Sequence, residues 1–484
     1  MILPMALVVL LGTACNKSEE EVSSGNAASN TTNTGDDSSD FVDNETWSST
    51  INIVWNGTNV TVTGSADGVS VSNSNGYVTV TSTAKHVEYA VSGSGTGQLS
   101  IYSDYKFKLS LEGLSLACSD GPAINNQCKK TCYAVLGGTN TLSDGSSYAS
   151  SSEDRKAAFF SEGQICFSGS GSLTITGNYK HALASDDYIR LCSGTGTIDL
   201  TAKVSDGLHT NDGVIINDGT LTINAVGEGI QCDTSSVVIT GGTITVTSTT
   251  DKGILAYANI DISGGTITAV ATGTSSSGWG SSSGTPEGIE AKGTITISGG
   301  KVFAQAKDDA INAGGDLTIS GGYVMAYSTG NDGLDANGNC YIQGGLVYAI
   351  GARSPEVAID ANTEQQKKLY VQGGTIVAIG GLESGSSLTQ SCYSASSWSA
   401  NTWYALTVGD NVFAFKTPSS GGSGLVVSGA STPSLKSGVT ASGTAIFNGM
   451  GFYPASVSGG SSVTLSSYSG GNSGPGGGGG HGWH

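Results

Sequence analysis

Two columns of polar residues recur through the middle of the chain, and their side chains suit the binding of a hard divalent cation. Members of the first column stand two positions before an apolar Leu or Ile: Asp206, Glu228, Lys252, Glu287, Asp309 and Asp332. Members of the second column directly follow such an apolar residue: His209, Gln231, Leu255, Glu290, Asn312, Asp335 and Asp360. Carboxylate and amide oxygens are the ligands that Ca²⁺ prefers.

Stacking of the repeats would bring these carboxylates close together. Residues that repeat on neighbouring strands lie about 4.8 Å apart, and two carboxylates at that distance repel by roughly 3 kcal/mol at an effective dielectric of 20. A bound cation removes this repulsion. We therefore predict a calcium site made of Glu287, Glu290, Asp309, Asn312, Asp332, Asp335 and Asp360. The alternative is an acidic edge that faces water and is screened by salt; Lys252 already relieves the earlier repeats without a metal.

The elements that must position these residues follow from the repeat itself. The apolar residues at positions 208, 230, 254, 289, 311 and 334 are separated by 22, 24, 35, 22 and 23 residues, and the long step contains a Gly/Ser-rich insert at 273–284. A Gly-Gly pair recurs in phase at 241, 264, 299, 321, 344 and 373. Runs such as Thr294-Ile295-Thr296-Ile297-Ser298 alternate with a period of two, which predicts short strands. We predict an all-β, right-handed parallel β-helix with 22–25 residues per turn.

Three segments carry a resemblance to a known family. Gly121-Pro122-Ala123-Ile124-Asn125, the run Asn140-Thr141-Leu142-Ser143-Asp144-Gly145-Ser146-Ser147-Tyr148, and Asp206-Gly207-Leu208-His209 resemble the bacterial carbohydrate-binding domain-containing family. The likeness covers roughly residues 50–380. It implies a right-handed parallel β-helix with bound calcium that recognises polysaccharides such as cellulose or pectate, without established catalysis.

An outward-facing row turns aromatic in the later repeats. Phe303, Tyr327 and Tyr348 would lie side by side there, and such a row can stack on sugar rings. The alternative is that the row is covered by residues 385–470, whose runs such as Val412-Phe413-Ala414-Phe415 predict a small β-rich C-terminal module.

The N-terminus has the pattern of an exported lipoprotein. Residues 1–15 combine a short apolar run with Gly12-Thr13-Ala14-Cys15, which resembles a bacterial lipoprotein signal with lipidation of Cys15; an ordinary secretory signal is the alternative. The acidic residues that follow Cys15 resemble the tags of surface-exposed lipoproteins. We therefore expect a lipid anchor in the outer membrane, at the surface of a Gram-negative bacterium. Residues 16–46 are predicted to form a disordered tether, 47–384 the β-helix, 385–470 the module and 471–484 a Gly-rich tail.

Composition and charge narrow the function classes. With 20 Lys and Arg against 39 Asp and Glu, the net charge is −19, which argues against nucleic acid and against membrane contact other than through the lipid. We predict a non-catalytic surface protein that binds polysaccharide with the help of calcium. The alternatives are an adhesin or stalk that presents the module, and a calcium-dependent lyase. A lyase needs a Lys or Arg base near the cation, but Arg155, Arg190 and Arg353 lie outside the polar columns. Of the cysteines, Cys232 and Cys340 are expected in the core.

Overall fold

Short alternating strands wind into a parallel β-solenoid. The computed structural model describes residues 38–274 and 285–470. The strands of the N-terminal turns are β1 (Ser49–Gly57), β2 (Asn59–Thr63), β3 (Val69–Ser74), β4 (Tyr77–Ser82), β5 (Val87–Thr96), β6 (Gln98–Ser103), β7 (Phe107–Ala117), β8 (Ile124–Asn126), β9 (Cys132–Gly137) and β10 (Thr139–Ser143).

From residue 157 to residue 350 each turn has three strands, two shorter and one longer, and the last turn has an isolated bridge at Ile359 in place of its first strand. The first five such turns contain β11 (Ala157–Ser161), β12 (Ile165–Ser168), β13 (Ser172–Gly177), β14 (His181–Ser185), β15 (Ile189–Leu191), β16 (Thr197–Ala202), β17 (Leu208–Thr210), β18 (Val214–Ile216), β19 (Thr220–Ala225), β20 (Ile230–Cys232), β21 (Val237–Ile239), β22 (Thr243–Ser248), β23 (Ile254–Ala256), β24 (Ile260–Ile262) and β25 (Thr266–Ala271). The following turns contain β26 (Ile289–Ala291), β27 (Ile295–Ile297), β28 (Lys301–Ala306), β29 (Ile311–Ala313), β30 (Leu317–Ile319), β31 (Tyr323–Ser328), β32 (Leu334–Ala336), β33 (Cys340–Ile342), β34 (Leu346–Ile350), β35 (Leu369–Val371) and β36 (Thr375–Ile379). The predicted all-β solenoid is confirmed.

Within the described residues, one side of the solenoid is a sheet of 12 strands, β3-β4-β6-β8-β11-β14-β17-β20-β23-β26-β29-β32. All of its pairings after the β3–β4 hairpin are parallel. We call this sheet, together with the residues that lead into its strands, the polar face. Apart from the antiparallel β1–β2 pair, the other strands of the turns also pair in parallel, so the interior is a continuous column of Ile, Val, Leu and Ala.

The repeated glycines and alanines have the roles expected at tight corners. The second glycine of each pair has a positive φ, as at Gly345 with φ +78°. A Cβ on the first glycine would clash with the turn below, since at Gly344 it would lie 2.3 Å from the Ser320 carbonyl oxygen. The alanines four residues past each pair are fully buried: Ala269, Ala304, Ala326, Ala349 and Ala378.

The C-terminal residues divide into a cap and a barrel. Their strands are β37 (Ser387–Leu388), β38 (Cys392–Ala395), β39 (Trp403–Val408), β40 (Asn411–Lys416), β41 (Leu425–Ser428), β42 (Ser434–Ile446), β43 (Gly451–Val463) and β44 (Ser466–Tyr468). Strand β41 pairs antiparallel with β36 of the solenoid and with β38, which in turn pairs with β44. Strands β39, β40, β43 and β42 close a small barrel.

Four short 3-10 helices complete the described elements, at Ser38–Asp40, Val42–Asn44, Thr363–Gln365 and Phe447–Gly449. The first two correct the predicted tether, because residues 38–46 pack on the solenoid. Asp40 is 2% exposed and accepts a 2.7 Å hydrogen bond from the buried Arg190 guanidinium. A buried carboxylate needs such a partner, and no local pattern in a Ser- and Asp-rich segment indicates an arginine 150 residues away.

Cysteines are core residues throughout the described part of the chain. The eight there are buried and form no disulfide, and Cys232 and Cys340 are fully buried as expected. No helix in the described ranges is long and apolar enough to cross a membrane. The predicted signal at 1–15, lipidation at Cys15, the tail at 471–484 and most of the 273–284 insert lie outside the described residues.

Candidate metal and polysaccharide-binding face

The strand register places the residues of the second column next to one another on successive strands. In each three-residue strand of the polar face the outer two residues point inward, as with Ile311 and Ala313 of β29, which are fully buried. The middle residue points away from the core. Parallel register aligns His209, Gln231, Leu255, Glu290, Asn312 and Asp335 on successive strands. The bridge between Leu334 and Ile359 brings Asp360 into the next position.

The first column lies in the corner before each strand and is buried. Glu287 is 4% exposed, Asp309 5% and Asp332 7%. An acidic edge that faces water would leave such carboxylates exposed, so that alternative is wrong for these three residues. Burial of several acids without matching cations is costly unless protons or metal ions neutralise them.

Glu287, Glu290 and Asn312 form the first oxygen cluster. Asn312 donates a 2.8 Å hydrogen bond from Nδ2 to Oε1 of Glu287, and Lys292 Nζ contacts Oε1 of Glu290. Three oxygens are buried without a hydrogen bond among the described residues: Glu287 Oε2, Glu290 Oε2 and Asn312 Oδ1. Of these, Glu290 Oε2 has the Lys252 ammonium 3.7 Å away as an ion-pair partner. Burial and the facing Glu290 carboxylate raise the pKa of Glu287 well above its usual value.

Asp332, Asp335 and Asp360 form the second oxygen cluster. One carboxylate oxygen from each lies within 4.8 Å of the others. Asp309 joins this cluster from the preceding turn, and its Oδ1 accepts a 2.9 Å hydrogen bond from the Asp332 amide. Asp332 Oδ1 in turn accepts a 2.6 Å hydrogen bond from the amide of Val357.

The acids of the second cluster destabilise one another's charged forms. Burial, assisted by Asp335, raises the pKa of Asp332 to about 8. Burial also raises the pKa of Asp335 to about 6, although a hydrogen bond with Asp360 opposes it. Burial and Glu383 raise the pKa of Asp360 to about 10. The pKa of Asp309 is raised well above its usual value by burial and by Asp335. At neutral pH this cluster therefore needs bound protons or a bound cation.

The two clusters fit calcium in the chemistry of their donors. The side-chain atoms that would bind the ions are carboxylate and amide oxygens, and two of them, Glu287 Oε2 and Asn312 Oδ1, are buried with no donor to satisfy them in the described part of the chain. Glu287, Glu290 and Asn312 would hold one ion, and Asp309, Asp332, Asp335 and Asp360 another. A bound cation would replace the protons that the raised pKa values otherwise require.

The other end of the polar face contains histidines, which the metal prediction did not include. His181 and His209 each place Nδ1 3.0 Å from the same oxygen of Asp206, Oδ2. Although burial opposes it, the hydrogen bonds from both imidazoles hold the pKa of Asp206 below its usual value. Burial lowers the pKa of His181 to about 4. A signal for His181 was present in the sequence, because it stands two positions before Leu183, as the first-column residues stand before theirs.

The predicted aromatic row is wrong as a sugar-stacking surface for two of its three residues. Phe303 is 5% exposed and Tyr348 is fully buried under the barrel, where the Tyr348 ring lies 5.3 Å from that of Phe415. Its hydroxyl donates a 2.9 Å hydrogen bond to the Lys416 carbonyl. The alternative interpretation, a packed interface with the C-terminal module, is confirmed. Tyr327 is half-buried beside this interface, and its binding role stays a prediction.

A partly exposed tyrosine pair lies elsewhere on the solenoid. Tyr341 of β33 and Tyr370 of β35 occupy neighbouring register positions and stack with ring centroids 5.0 Å apart. Sequence reasoning missed this pair, although both tyrosines are the middle residues of short strands in the same repeat position. The pair offers a ring surface that Phe303 and Tyr348 do not.

The fold and the polar face together define a parallel β-solenoid with an acidic face of the kind that binds cations. The carbohydrate-binding domain-containing protein family matches residues 74–333, which is more than half of the chain, and the chain belongs to this family. A solved structure described as the polysaccharide lyase-like protein from C. thermocellum, gadolinium derivative, is 23% identical. The match covers 51% of this chain and 97% of the chain of that structure, with a TM-score of 0.43. No curated protein matches the sequence.

Proposed function

We propose that this protein binds an acidic polysaccharide through calcium ions held on the polar face, without cleaving it. The observation that carries the proposal is the pair of oxygen clusters, above all the convergence of Asp332, Asp335 and Asp360 within 4.8 Å. Membership of a carbohydrate-binding family supplies the class of ligand. We further propose that lipidation of Cys15 holds the protein at the bacterial surface.

Charge supports a role for the cation in ligand binding. A chain with a net charge of −19 repels a polyuronate. Calcium on the polar face offsets part of the local negative charge, and its six to eight oxygen positions allow a sugar carboxylate to complete the coordination. The acidic columns would then select the acidic sugar through the metal.

Binding without cleavage is supported by the state of Lys252, the lysine of the first column. Lys252 lies 2.9 Å from Asp251 and 3.7 Å from Glu290. Although burial alone would lower it, Glu287 and the other nearby carboxylates raise the pKa of Lys252 above its usual value. A general base needs a pKa near the working pH. A lysine that is held protonated in ion pairs is therefore poorly suited to abstract a sugar proton.

Calorimetry on the full chain tests the proposal. Calcium titrated into EGTA-treated protein should release heat, and Asp335→Asn should weaken calcium binding at least about tenfold, because it removes a central ligand charge. Asp199→Asn is the matched control, since Asp199 lies on β16 away from the polar face. Polygalacturonate should be retained by the parent in calcium and released by EGTA.

Three results would contradict parts of the proposal. If calcium titrated into the parent protein releases no heat of binding, the proposed calcium sites are contradicted. Calcium binding without retention of polygalacturonate would leave the metal as a structural ion. Release of an unsaturated product that absorbs in the ultraviolet would establish a lyase. Point variants suit these tests better than removal of residues 385–484, which would unpair β36 and expose Tyr348.

A further inference from the structure

The histidine end of the polar face brings nitrogen ligands together on one carboxylate oxygen. His181 is the first residue of β14, one turn before Asp206, while His209 is the middle residue of β17. Their rings stack with centroids 4.2 Å apart at an interplanar angle of 18°. Both Nδ1 atoms lie 3.0 Å from Asp206 Oδ2, and all three residues are less than 9% exposed.

His209 has a carboxylate oxygen beside each of its ring nitrogens, and a neutral imidazole can donate to only one of them. Its Nδ1 faces Asp206 Oδ2, while its Nε2 lies 3.4 Å from Oδ2 of Asp233. A neutral imidazole has a single N–H. If Nε2 donates to Asp233, the Nδ1 lone pair points at a carboxylate oxygen, and a positive species has to lie between them.

His181 presents the same conflict. Its Nδ1 is in place to accept a long, 3.4 Å hydrogen bond from the Asp206 amide and also faces Asp206 Oδ2. Its Nε2 is buried and has no hydrogen-bond partner among the described residues. A proton placed on Nδ1 satisfies the carboxylate but competes with the amide. A metal ion bound by the two Nδ1 atoms and Oδ2 would use the same His181 lone pair as the amide does, and the hydrogen of the neutral imidazole would then be on Nε2.

Spacing and donor type indicate a transition-metal ion rather than calcium. Zinc takes imidazole nitrogens and carboxylate oxygens at about 2.0–2.1 Å in a tetrahedron, which sets neighbouring ligands about 3.3 Å apart. The two 3.0 Å separations are close to that value. Calcium prefers oxygen ligands alone. Asp233 on the far nitrogen of His209 has the position of a carboxylate that orients a metal-bound histidine.

We propose that His181, Asp206 and His209 bind a zinc-type divalent transition ion, with Asp233 as the residue that positions His209. The site is separate from the calcium clusters, and it does not depend on the proposed polysaccharide binding. Such an ion would join two successive turns of the solenoid through side chains.

Titration of zinc alone into EDTA-stripped full-length protein tests this site, together with the visible spectrum of added Co²⁺. We expect about one ion per chain and a four-coordinate Co²⁺ spectrum. His209→Gln should weaken binding at least about tenfold, and glutamine suits this column because Gln231 occupies it one turn later. Asp233→Asn should weaken binding by roughly tenfold, as loss of an outer-shell partner does.

Two controls separate this site from other histidines. His86→Asn changes an exposed histidine that is distant in the sequence from His181 and His209. A His481→Ala/His484→Ala variant removes the histidines of the C-terminal tail. Both should bind zinc as the parent does. The proposal is overturned if His209→Gln binds zinc as tightly as the parent. It is also overturned if the parent binds no zinc, and nitrogen NMR that shows His209 doubly protonated would then identify a proton in that position. Circular dichroism confirms that each variant is folded.

Discussion

The two ends of the polar face are built from the same repeat, yet they neutralise their buried carboxylates in opposite ways. At the first end, Asp206 has two imidazoles on one oxygen and its pKa is lowered. At the second end, the Asp332 carboxylate has one backbone amide, that of Val357, and other carboxylates around it, and burial raises its pKa to about 8. The position of a carboxylate in the repeat therefore determines how deeply it is buried. The residue type on the neighbouring turn determines whether its charged form is stabilised.

This difference explains why the ends suit different ligands. The end with imidazoles offers nitrogen ligands to a metal ion, and its imidazoles already supply hydrogen bonds to the Asp206 carboxylate. An end with acids alone has excess negative charge that requires protons or a hard cation. The middle of the face, where Lys252 occupies the column, is paired internally with Asp251 and Glu290.

The largest expected effect comes from removing the charge at the histidine end. Asp206→Asn should lower the free energy of unfolding by about 3–5 kcal/mol at pH 7, because asparagine has one acceptor oxygen where the carboxylate has two. Either the imidazole at Oδ2, or the Ser205 hydroxyl and Glu228 amide at Oδ1, then lose their charged acceptor. Denaturant unfolding followed by circular dichroism in EDTA measures it, with Asp199→Asn as the control. A loss below about 1 kcal/mol would show that the two ends do not differ as described.

At the acidic end the same change should have the opposite sign. The pKa of Asp332 is raised from 3.8 to about 8, so without metal its contribution to stability is present below pH 4 and is lost as the pH rises to about 8. Asp332→Asn should therefore stabilise the calcium-free protein at pH 8 by about 1–3 kcal/mol. The amide oxygen can still accept the Val357 hydrogen bond.

Unfolding in EGTA at pH 5 and pH 8 measures this effect. The gain should be smaller at pH 5, where Asp332 is protonated, and calcium should stabilise the parent more than the variant. A parent whose stability is the same at both pH values would contradict the raised pKa.

The smallest effect is expected at the partly exposed tyrosine pair. Tyr341→Ala should lower the free energy of unfolding by about 0.5–1 kcal/mol, because it removes one stacked surface contact. Retention of polygalacturonate should stay within about twofold of the parent if the polar face binds the polymer. A tenfold loss would instead assign ligand binding to Tyr341 and Tyr370. Affinity electrophoresis with and without the polymer compares the variants.

Local patterns in the sequence are sufficient to predict the solenoid and the columns. The repeat period, the period-two alternation and the paired glycines are properties of short segments, and parallel stacking of equal repeats then fixes which residues are neighbours. The sequence alone therefore aligns Glu290, Asn312 and Asp335, and the strand register confirms that alignment.

Packing between distant segments accounts for the features that the sequence did not predict. The barrel covers Phe303 and Tyr348, a result that depends on how the surfaces of two parts of the chain fit each other. Asp40 reaches Arg190 from a segment whose composition indicated a tether.

The architecture and the order of acids along one face follow from the sequence alone, because both depend on periodicity and on the fixed spacing of paired strands. The burial of those acids, and the oxygen that His181 shares with His209, are consequences of the tertiary fold. Exposure and side-chain pairing depend on the curvature of the turns and on what packs over them, and no local pattern specifies either.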